Sequence, residues 1–364
     1  MKMAKITKKD ADLLVQRHET FYRKDIKIND TQIFIYNYLL SDLDAFNDQI
    51  GDTKGTELRG LTITHEGAKE HVFLSCPKFF NVNETPQTQE NMLVHKKIKK
   101  VLEKVDGSLI QPININGEIL MKTKQSFNNF QAKQAQEILE ISSDLQFFIL
   151  DCWDNDFYPL FELRGPDNKI VINYDKTELV LIMVRNAEGE FVDVHKFNYK
   201  YTAKNYDLTL DEIITECKSP GVEKEGYVVK FTDGDIVKFK TIKYIQDHKT
   251  INQTDSYKNI LNLILKEELD DVLGLLSQKR QEELKQISED VTTYMIHYIK
   301  LITDIVSKNE DRKIKADKYK NHEFFSVIMS CYGNPDRVKE TFIQHILKKY
   351  NKEKKAQSFI NFLK

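Results

Sequence analysis

Several protein classes are excluded by what this chain lacks. Of its 364 residues only four are cysteine. Cys76, Cys152, Cys217 and Cys331 are widely scattered, which implies neither a disulfide framework nor the paired spacing of a zinc site. Reduced thiols in a cytoplasm are expected, with no metal cage of Cys or His. Thirteen glycines and seven prolines are too few for a low-complexity or fibrous sequence. The longest apolar run, Leu179 to Val184, has the length of a strand and falls far short of a bilayer span. The N-terminus MKMAKITKKDADLL has basic residues but no apolar signal core. A soluble, monomeric chain with no membrane partner is expected, long enough for two domains.

No charge of one sign dominates either, since the formal net charge is −2. That average hides clusters of lysine and arginine at Lys96–Lys100, Lys238–Lys243, Arg312–Lys320 and Lys348–Lys355. Taken singly, each is as readily a solvated face as a ligand site; converging in space, they would form a phosphate-binding surface without a basic isoelectric point.

The pattern of the chain changes near residue 250. Before it, short β-rich runs recur at Ile33–Leu39, Leu58–Thr64, His71–Ser75, Ser108–Ile113, Glu118–Lys124, Phe157–Leu163, Ile170–Tyr174, Glu178–Arg185, Gly226–Thr232 and Asp235–Lys240. Turn signals such as Asn116-Gly117 and Asp233-Gly234 separate them and suit hairpins. Helices are predicted near Glu90–Lys104 and Ala132–Trp153. Beyond Asp255 the apolar period becomes helical: Ile260, Leu261, Ile264 and Leu265, then a long stripe from Leu284 to Ile305, then a last helix capped by Asn334-Pro335. The expected fold class is α+β, an antiparallel-sheet domain over 1–248 followed by an all-α domain over 249–364.

One short stretch, "LEKVDGSLI" from Leu102 to Ile110, places Lys104 beside Asp106 and Gly107. Alone, Lys-x-Asp-Gly is weak. Its companions strengthen it. In Val237-Lys238-Phe239-Lys240 the alternation of a strand puts both lysines on one face. Lys122 and Lys124 alternate in the same way. Glu225 stands immediately before Gly226 at the start of an apolar strand, and Glu162 interrupts apolar neighbours, which costs free energy unless it is bonded. An ordered Lys-x-Asp-Gly, Phe-Glu, Glu-Gly and Lys-x-Lys, each on or before a strand, suits a nucleotide.

Over about residues 30 to 245 these motifs resemble the covalent nucleotidyltransferases, and among them the bacteriophage-type RNA ligase 1 family of tRNA-repair enzymes. Tyr36 in FIYNYL, Arg59-Gly60 in ELRGLTI, Lys78-Phe79-Phe80-Asn81 in PKFFN and the LFELRGPDNKIVINY segment are similar to that family's nucleotide-contacting segments. The resemblance implies an ATP-grasp-like ligase domain that uses ATP and magnesium. In it Lys104 attacks the α-phosphate of ATP and carries AMP as a phosphoramidate. An ordinary lysine, with a pKa of about 10.4, is protonated at neutral pH. Lys238 and Lys240 are therefore expected to disfavour the charged amine and to stabilise the pentacoordinate phosphate. The resemblance assigns Arg59 and Lys78 to the β and γ phosphates with Tyr36 nearby, Glu162 to the ribose hydroxyls and Glu225 to magnesium. Glu103, Asp106, Gly107 and Lys122 complete the nucleotide-side set. It also implies an RNA partner, a nicked tRNA anticodon stem-loop selected by the C-terminal helices, with an end-healing kinase and phosphatase acting beforehand.

Two other readings stay open. A DNA ligase or mRNA capping enzyme shares the chemistry but generally appends an OB-fold barrel, whereas residues 250–364 have a helical period. A non-catalytic RNA-binding protein of the same fold would most simply have lost the nucleophile or an acid, and all are present here. No phosphate loop or dinucleotide fingerprint occurs, and His65-Glu66 with His71 lacks the spacing of a zinc protease. Tyr294 and Tyr298 are expected in the core of the helical stripe.

Overall fold

The computed structural model describes residues 6–67, 69–168, 172, 174–247, 256–273, 276 and 278–363. Contacts divide the chain into two compact units, Met1–Tyr38 with Leu43–His248, and Leu39–Asp42 with Lys249–Lys364.

The first unit is built on three main sheets. A four-stranded antiparallel sheet is ordered Phe21–Ile28, Thr31–Tyr38, Thr62–Glu66, Lys69–Phe73. Asn29 and Asp30, at φ 47° and 67°, make the two-residue turn of its first hairpin, a conformation that Asn and Asp tolerate better than most residues. The helix Lys8–Arg17, capped by the Thr7 side chain, contributes Leu14 to a core with Phe21, Phe34, Tyr36, Phe46 and Leu58.

A second sheet is ordered Glu118–Lys122, Ser108–Ile115, Phe157–Arg164, Glu178–Asn186, Phe191–Val192. One of its faces buries Ile110, Phe161, Leu163, Leu181 and Val184 under Ala135, Leu139, Phe148 and Ile149 of two helices, Phe130–Glu140 and Ser143–Asp154. The single helix expected over Ala132–Trp153 is thus two. The first ends with Ile141 as its C-cap, and Ser142 starts the second by accepting from the Leu145 N–H.

The third sheet is ordered Asn205–Tyr206, Ile98–Lys104, Gly226–Phe231, Ile236–Lys240, Phe80–Asn81, antiparallel except for the last pairing. Here the expected helix over Glu90–Lys104 is corrected. Only Glu90–Leu93 is α-helical, and Ile98–Lys104 is a strand. The apolar positions Ile98, Val101 and Leu102 fit a helical period, but pairing with strands on both sides overrides that local preference. The strand expected over Ile170–Tyr174 falls largely outside the described residues.

In the second unit the described regular elements are helices: Tyr257–Leu265, Asp270–Leu273, Gln278–Ser307, Arg312–Tyr319, Phe325–Ser330, Val338–Lys349 and Glu353–Leu363, with a 3-10 turn at Pro335–Arg337. Pro335 therefore leads into the penultimate helix, and one more follows. The long stripe is buried as Leu284, Ile287, Val291, Met295, Ile299, Ile302 and Ile305. Tyr294 packs edge-on to Phe359 at 5.1 Å and Tyr298 to Phe324 at 4.9 Å. No described helix is long and apolar enough to cross a membrane.

Lys315 ends the 30-residue helix from the inside. It is fully buried, and its Nζ donates to the carbonyls of Ile305 at 2.8 Å, Val306 at 3.0 Å and Lys308 at 2.7 Å. A helix leaves its last carbonyls without intrahelical partners, and a cation there also meets the negative end of the dipole. Substitution Lys315→Met keeps the stem's volume but leaves these carbonyls unbonded. It is expected to lower stability by about 2 kcal/mol, read as a shifted urea midpoint with unchanged slope.

Candidate active site

Strand register brings the nucleophile candidate and the later motifs together. Lys104 ends its strand, Gly226 begins the next and Lys240 ends the third; Gly226 pairs with Lys104 on one side and with Lys240 on the other. One step along, Val228 lies between Leu102 and Lys238. With side chains alternating, Lys104, Lys238 and Lys240 share one face. Val101, Tyr227, Val229, Val237 and Phe239 take the other, packed with Ile213 and Cys217 of the helix Leu210–Lys218.

Glu225 is 4% exposed, and its Oε1 lies 2.6 Å from Lys104 Nζ and 3.5 Å from Lys240 Nζ. One carboxylate oxygen is shared by two ammonium groups. The glycine beside it has a separate duty. Gly226 has φ +149°, and a Cβ there would lie 1.8 Å from the Phe239 carbonyl oxygen. Any other residue would force the strands carrying Lys104 and Lys240 apart.

Asp106 and Gly107 shape the turn after Lys104. Asp106 is buried; its Oδ2 accepts from the Ile172 backbone N–H at 2.8 Å and its Oδ1 from the Tyr244 hydroxyl at 3.0 Å. These bonds fix the loop. A Cβ on Gly107 would meet the Leu163 carbonyl oxygen at 2.2 Å and Glu162 Cγ at 3.1 Å. Glycine thus lets the segment press against the strand that carries Glu162. Burial pushes the Glu162 carboxyl up to about 8, with Lys104 acting downward, Glu225 upward, Arg59 downward and Asp106 upward.

The upstream segments join at the sheet edge. Phe80 and Asn81 pair in parallel with Val237 and Lys238, and Lys238 Nζ stands over the Phe79 ring at 5.4 Å. Lys78 Nζ lies 3.6 Å from Glu84 Oε1, and the Lys78 backbone N–H donates to Thr56 O at 2.9 Å. Arg59 Nη1 donates to the Cys76 carbonyl at 3.2 Å.

Three candidates have side chains that turn away from this face. Glu103 alternates to the face opposite Lys104 and pairs with Tyr227. Tyr36 is fully buried, its hydroxyl donating to Asp12 Oδ1 at 2.8 Å; what reaches the Arg59-Gly60 segment is its carbonyl, which accepts from the Gly60 N–H at 2.9 Å. Lys122 is also fully buried, with Nζ donating to Gly60 O at 3.2 Å, Gln111 Oε1 at 3.1 Å and Lys124 O at 3.4 Å. Both side chains face the protein interior, whereas an alternating strand pattern had suggested a ligand-facing Lys122.

Comparison with known proteins decides the family, because residues 57–248 match the model of the RNA ligase family. The chain belongs to that family. A Thermovibrio ammonificans protein proposed to be an RNA ligase is 25% identical over 286 residues, covering 72% of this chain and 73% of its own. A protein of the Autographa californica nuclear polyhedrosis virus, proposed to be a bifunctional polynucleotide kinase/RNA ligase, is 27% identical over 243 residues, covering 60% of this chain but 34% of its own. Among solved structures, an archaeal ATP-dependent RNA ligase aligns with a TM-score of 0.48 at 16% identity, over 86% of this chain and 85% of that one.

The ligase also has site neighbours that the motif reading passed over. Tyr244 is 4% exposed, bonds Asp106 and lies under Lys240 Nζ at 5.3 Å. It directly follows the basic run Lys238–Lys243. Lys124 Nζ stands over the Tyr38 ring at 5.6 Å, and Tyr38 is a neighbour of the Arg59 guanidinium.

The placement of Lys122 has a pH signature. Burial brings its amine down to about 7 from the usual lysine value. A base with a lowered value in the folded state binds its proton less readily there than when unfolded. The penalty is therefore full below pH 7 and is relieved as pH rises from 7 towards the unfolded value. Stability should rise from pH 6 to pH 9, and Lys122→Met should flatten that rise, measured as urea midpoints at both pH values.

Proposed function

We propose that this enzyme is an ATP-dependent RNA ligase that joins 5′-phosphate and 3′-hydroxyl RNA ends through a lysyl-AMP at Lys104. The observation that carries this reading is the lateral row Lys104–Gly226–Lys240 with the Glu225 carboxylate between the two amines. A nucleophile at a strand end, a second cation in register with it and a third, Lys238, on the same face form a fixed positive surface for a phosphoryl group.

In the first step Lys104 Nζ forms a bond to the α-phosphorus and the bond to pyrophosphate breaks. Attack needs the neutral amine, and the Glu225 carboxylate oxygen 2.6 Å from Lys104 Nζ is placed to take its proton. Lys238 and Lys240 offset charge on the pentacoordinate phosphate, while Arg59 and Lys78 hold the departing end. Glu162 accepts from the ribose hydroxyls. AMP then passes to an RNA 5′-phosphate, and a 3′-hydroxyl displaces it. Each step is an in-line displacement at phosphorus, which one surface can serve.

Magnesium fits the donors present here, since Glu225 offers a hard carboxylate oxygen beside the proposed phosphate position. Among the described residues there is no group of three or more His, Cys, Asp or Glu that could hold a metal, so the remaining ligands would be phosphate and water. Bound there, the ion would neutralise phosphate charge.

The helical unit is assigned the choice of RNA, a nicked tRNA anticodon stem-loop healed beforehand by a kinase and phosphatase. Arg312, Lys313 and Lys320 lie on its surface, and the Arg312 guanidinium stands 5.8 Å from the centre of the Tyr332 ring. Cations beside an aromatic ring suit both phosphate and base.

Incubation with labelled ATP and magnesium should give an acid-labile, base-stable label on the denatured wild type and none on Lys104→Ala. Lys238→Ala or Lys240→Ala should slow labelling about 10²-fold. Preferential labelling by GTP would make the protein a capping-type nucleotidyltransferase. Separately, Glu replacing Arg312, Lys313 and Lys320 together should leave labelling intact and weaken sealing of a nicked anticodon stem-loop. Unchanged sealing would remove RNA selection from this surface.

A further inference from the structure

The segment that carries Arg59 is tied down by an ion pair of a buried Arg185 and a partly buried Glu57, to which the proposed chemistry gives no part. Arg185, in the strand Glu178–Asn186, is 2% exposed. Its Nη1 donates to Glu57 Oε2 at 2.6 Å and its Nη2 to Glu57 Oε1 at 2.9 Å, a two-point fork. Nη1 also reaches the Ser75 carbonyl at 3.0 Å, and Nε and Nη2 reach the Gly189 carbonyl at 3.0 and 2.7 Å. Gly189, at φ +83°, could not be replaced without a Cβ 2.9 Å from Nη2, so the turn closes onto the guanidinium itself.

The partners of Arg185 sit next to the proposed phosphate cations. Glu57 is two residues before Arg59. Ser75 precedes Cys76, whose carbonyl accepts from Arg59, so the two guanidiniums bind successive carbonyls of one segment. That segment continues into Lys78, whose backbone N–H bonds Thr56 O at 2.9 Å. A buried ion pair is a poor way to add stability compared with apolar packing of the same volume. What a fork–carboxylate pair adds is direction, since two parallel bonds fix Glu57 in both distance and orientation.

We propose that Arg185 is a positioning residue for the triphosphate: through Glu57 and the Ser75 carbonyl it sets the spacing of Arg59 and Lys78. This rests on the assignment of those two cations to the β and γ phosphates. Arg185 then matters while a triphosphate is held and not afterwards, because the sealing step starts from an adenylylated RNA end that has no pyrophosphate to hold.

The test uses the full chain with Arg185→Lys, which keeps the charge but cannot fork, and Glu57→Gln as a second variant should the first fail to fold. Steady-state ATP–pyrophosphate exchange through the lysyl-adenylate is measured against ATP concentration, and sealing is measured separately on RNA already carrying a 5′ adenylate. The KM for ATP is expected to rise about tenfold to a hundredfold, with sealing of pre-adenylylated RNA unchanged within about twofold. Loss of both activities in parallel, which a purely structural pair would cause, overturns the proposal, and so does an unchanged KM. Absence of any label from ATP on the wild type would instead overturn the ligase chemistry on which the proposal rests.

Discussion

One carboxylate oxygen between two ammonium groups is the constraint on which the site depends. Glu225 cannot sit 2.6 Å from Lys104 and 3.5 Å from Lys240 unless the three strands carrying these residues end in register. That register is enforced from below by an apolar face of Tyr227, Val229, Val237 and Phe239, where a slip of one residue would exchange valine for lysine in the core. It is enforced laterally by Gly226, whose missing side chain lets Phe239 O come close. The charged cluster is therefore held by the burial of its apolar neighbours, and its own attraction has only to choose rotamers.

Around this row the unit uses polar bonds to fix loops rather than to fill the core. Asp106, the residue of the Lys-x-Asp-Gly motif nearest a supposed sugar, is satisfied by the Ile172 N–H and the Tyr244 hydroxyl. Its carboxylate joins the loop after Lys104 to the helix Ile242–Asp247, which follows the last lysine strand directly. The first and last lysine motifs are thereby linked twice, once through the sheet and once through this acid.

Much of this was legible in the sequence because strand alternation is a strong local signal. Lys238 and Lys240 could be put on one face, and Glu225 before its strand, from spacing alone. The α+β organisation with helices at the C-terminal end was legible for the same reason, since apolar period separates strand from helix. What could not be read were features decided by partners distant in sequence. The strand Ile98–Lys104 has a helical apolar spacing and becomes a strand only because Gly226–Phe231 lies beside it. Lys122 looks exposed in MKTKQ, and its burial depends on Gly60 and Gln111. Tyr36 looks like a ligand contact, yet Asp12 from the first helix takes its hydroxyl. Arg185, bonded to Glu57, carries no motif at all, and only the fold shows how close it lies to Arg59.

Three buried cations follow one rule in both units. Lys122 bonds Gly60 O and Lys124 O, Arg185 bonds Ser75 O and Gly189 O, and Lys315 bonds the carbonyls at the end of the longest helix. Carbonyls left over by turns and helix ends must be bonded if water cannot reach them. A long cationic side chain can reach several at once from another element. Burial works against its charge, so such a group is tolerated where it joins segments that no regular ladder could join. Two of the three converge on Glu57–Gly60, the stretch that holds Arg59. The 3-10 turn Gly55–Leu58 and the Arg59 that follows lie outside the sheet ladders, joined to a strand by the Gly60 N–H to Tyr36 carbonyl bond. Interior cations add to those backbone bonds, Lys122 at the Gly60 carbonyl and Arg185 at the Glu57 carboxylate.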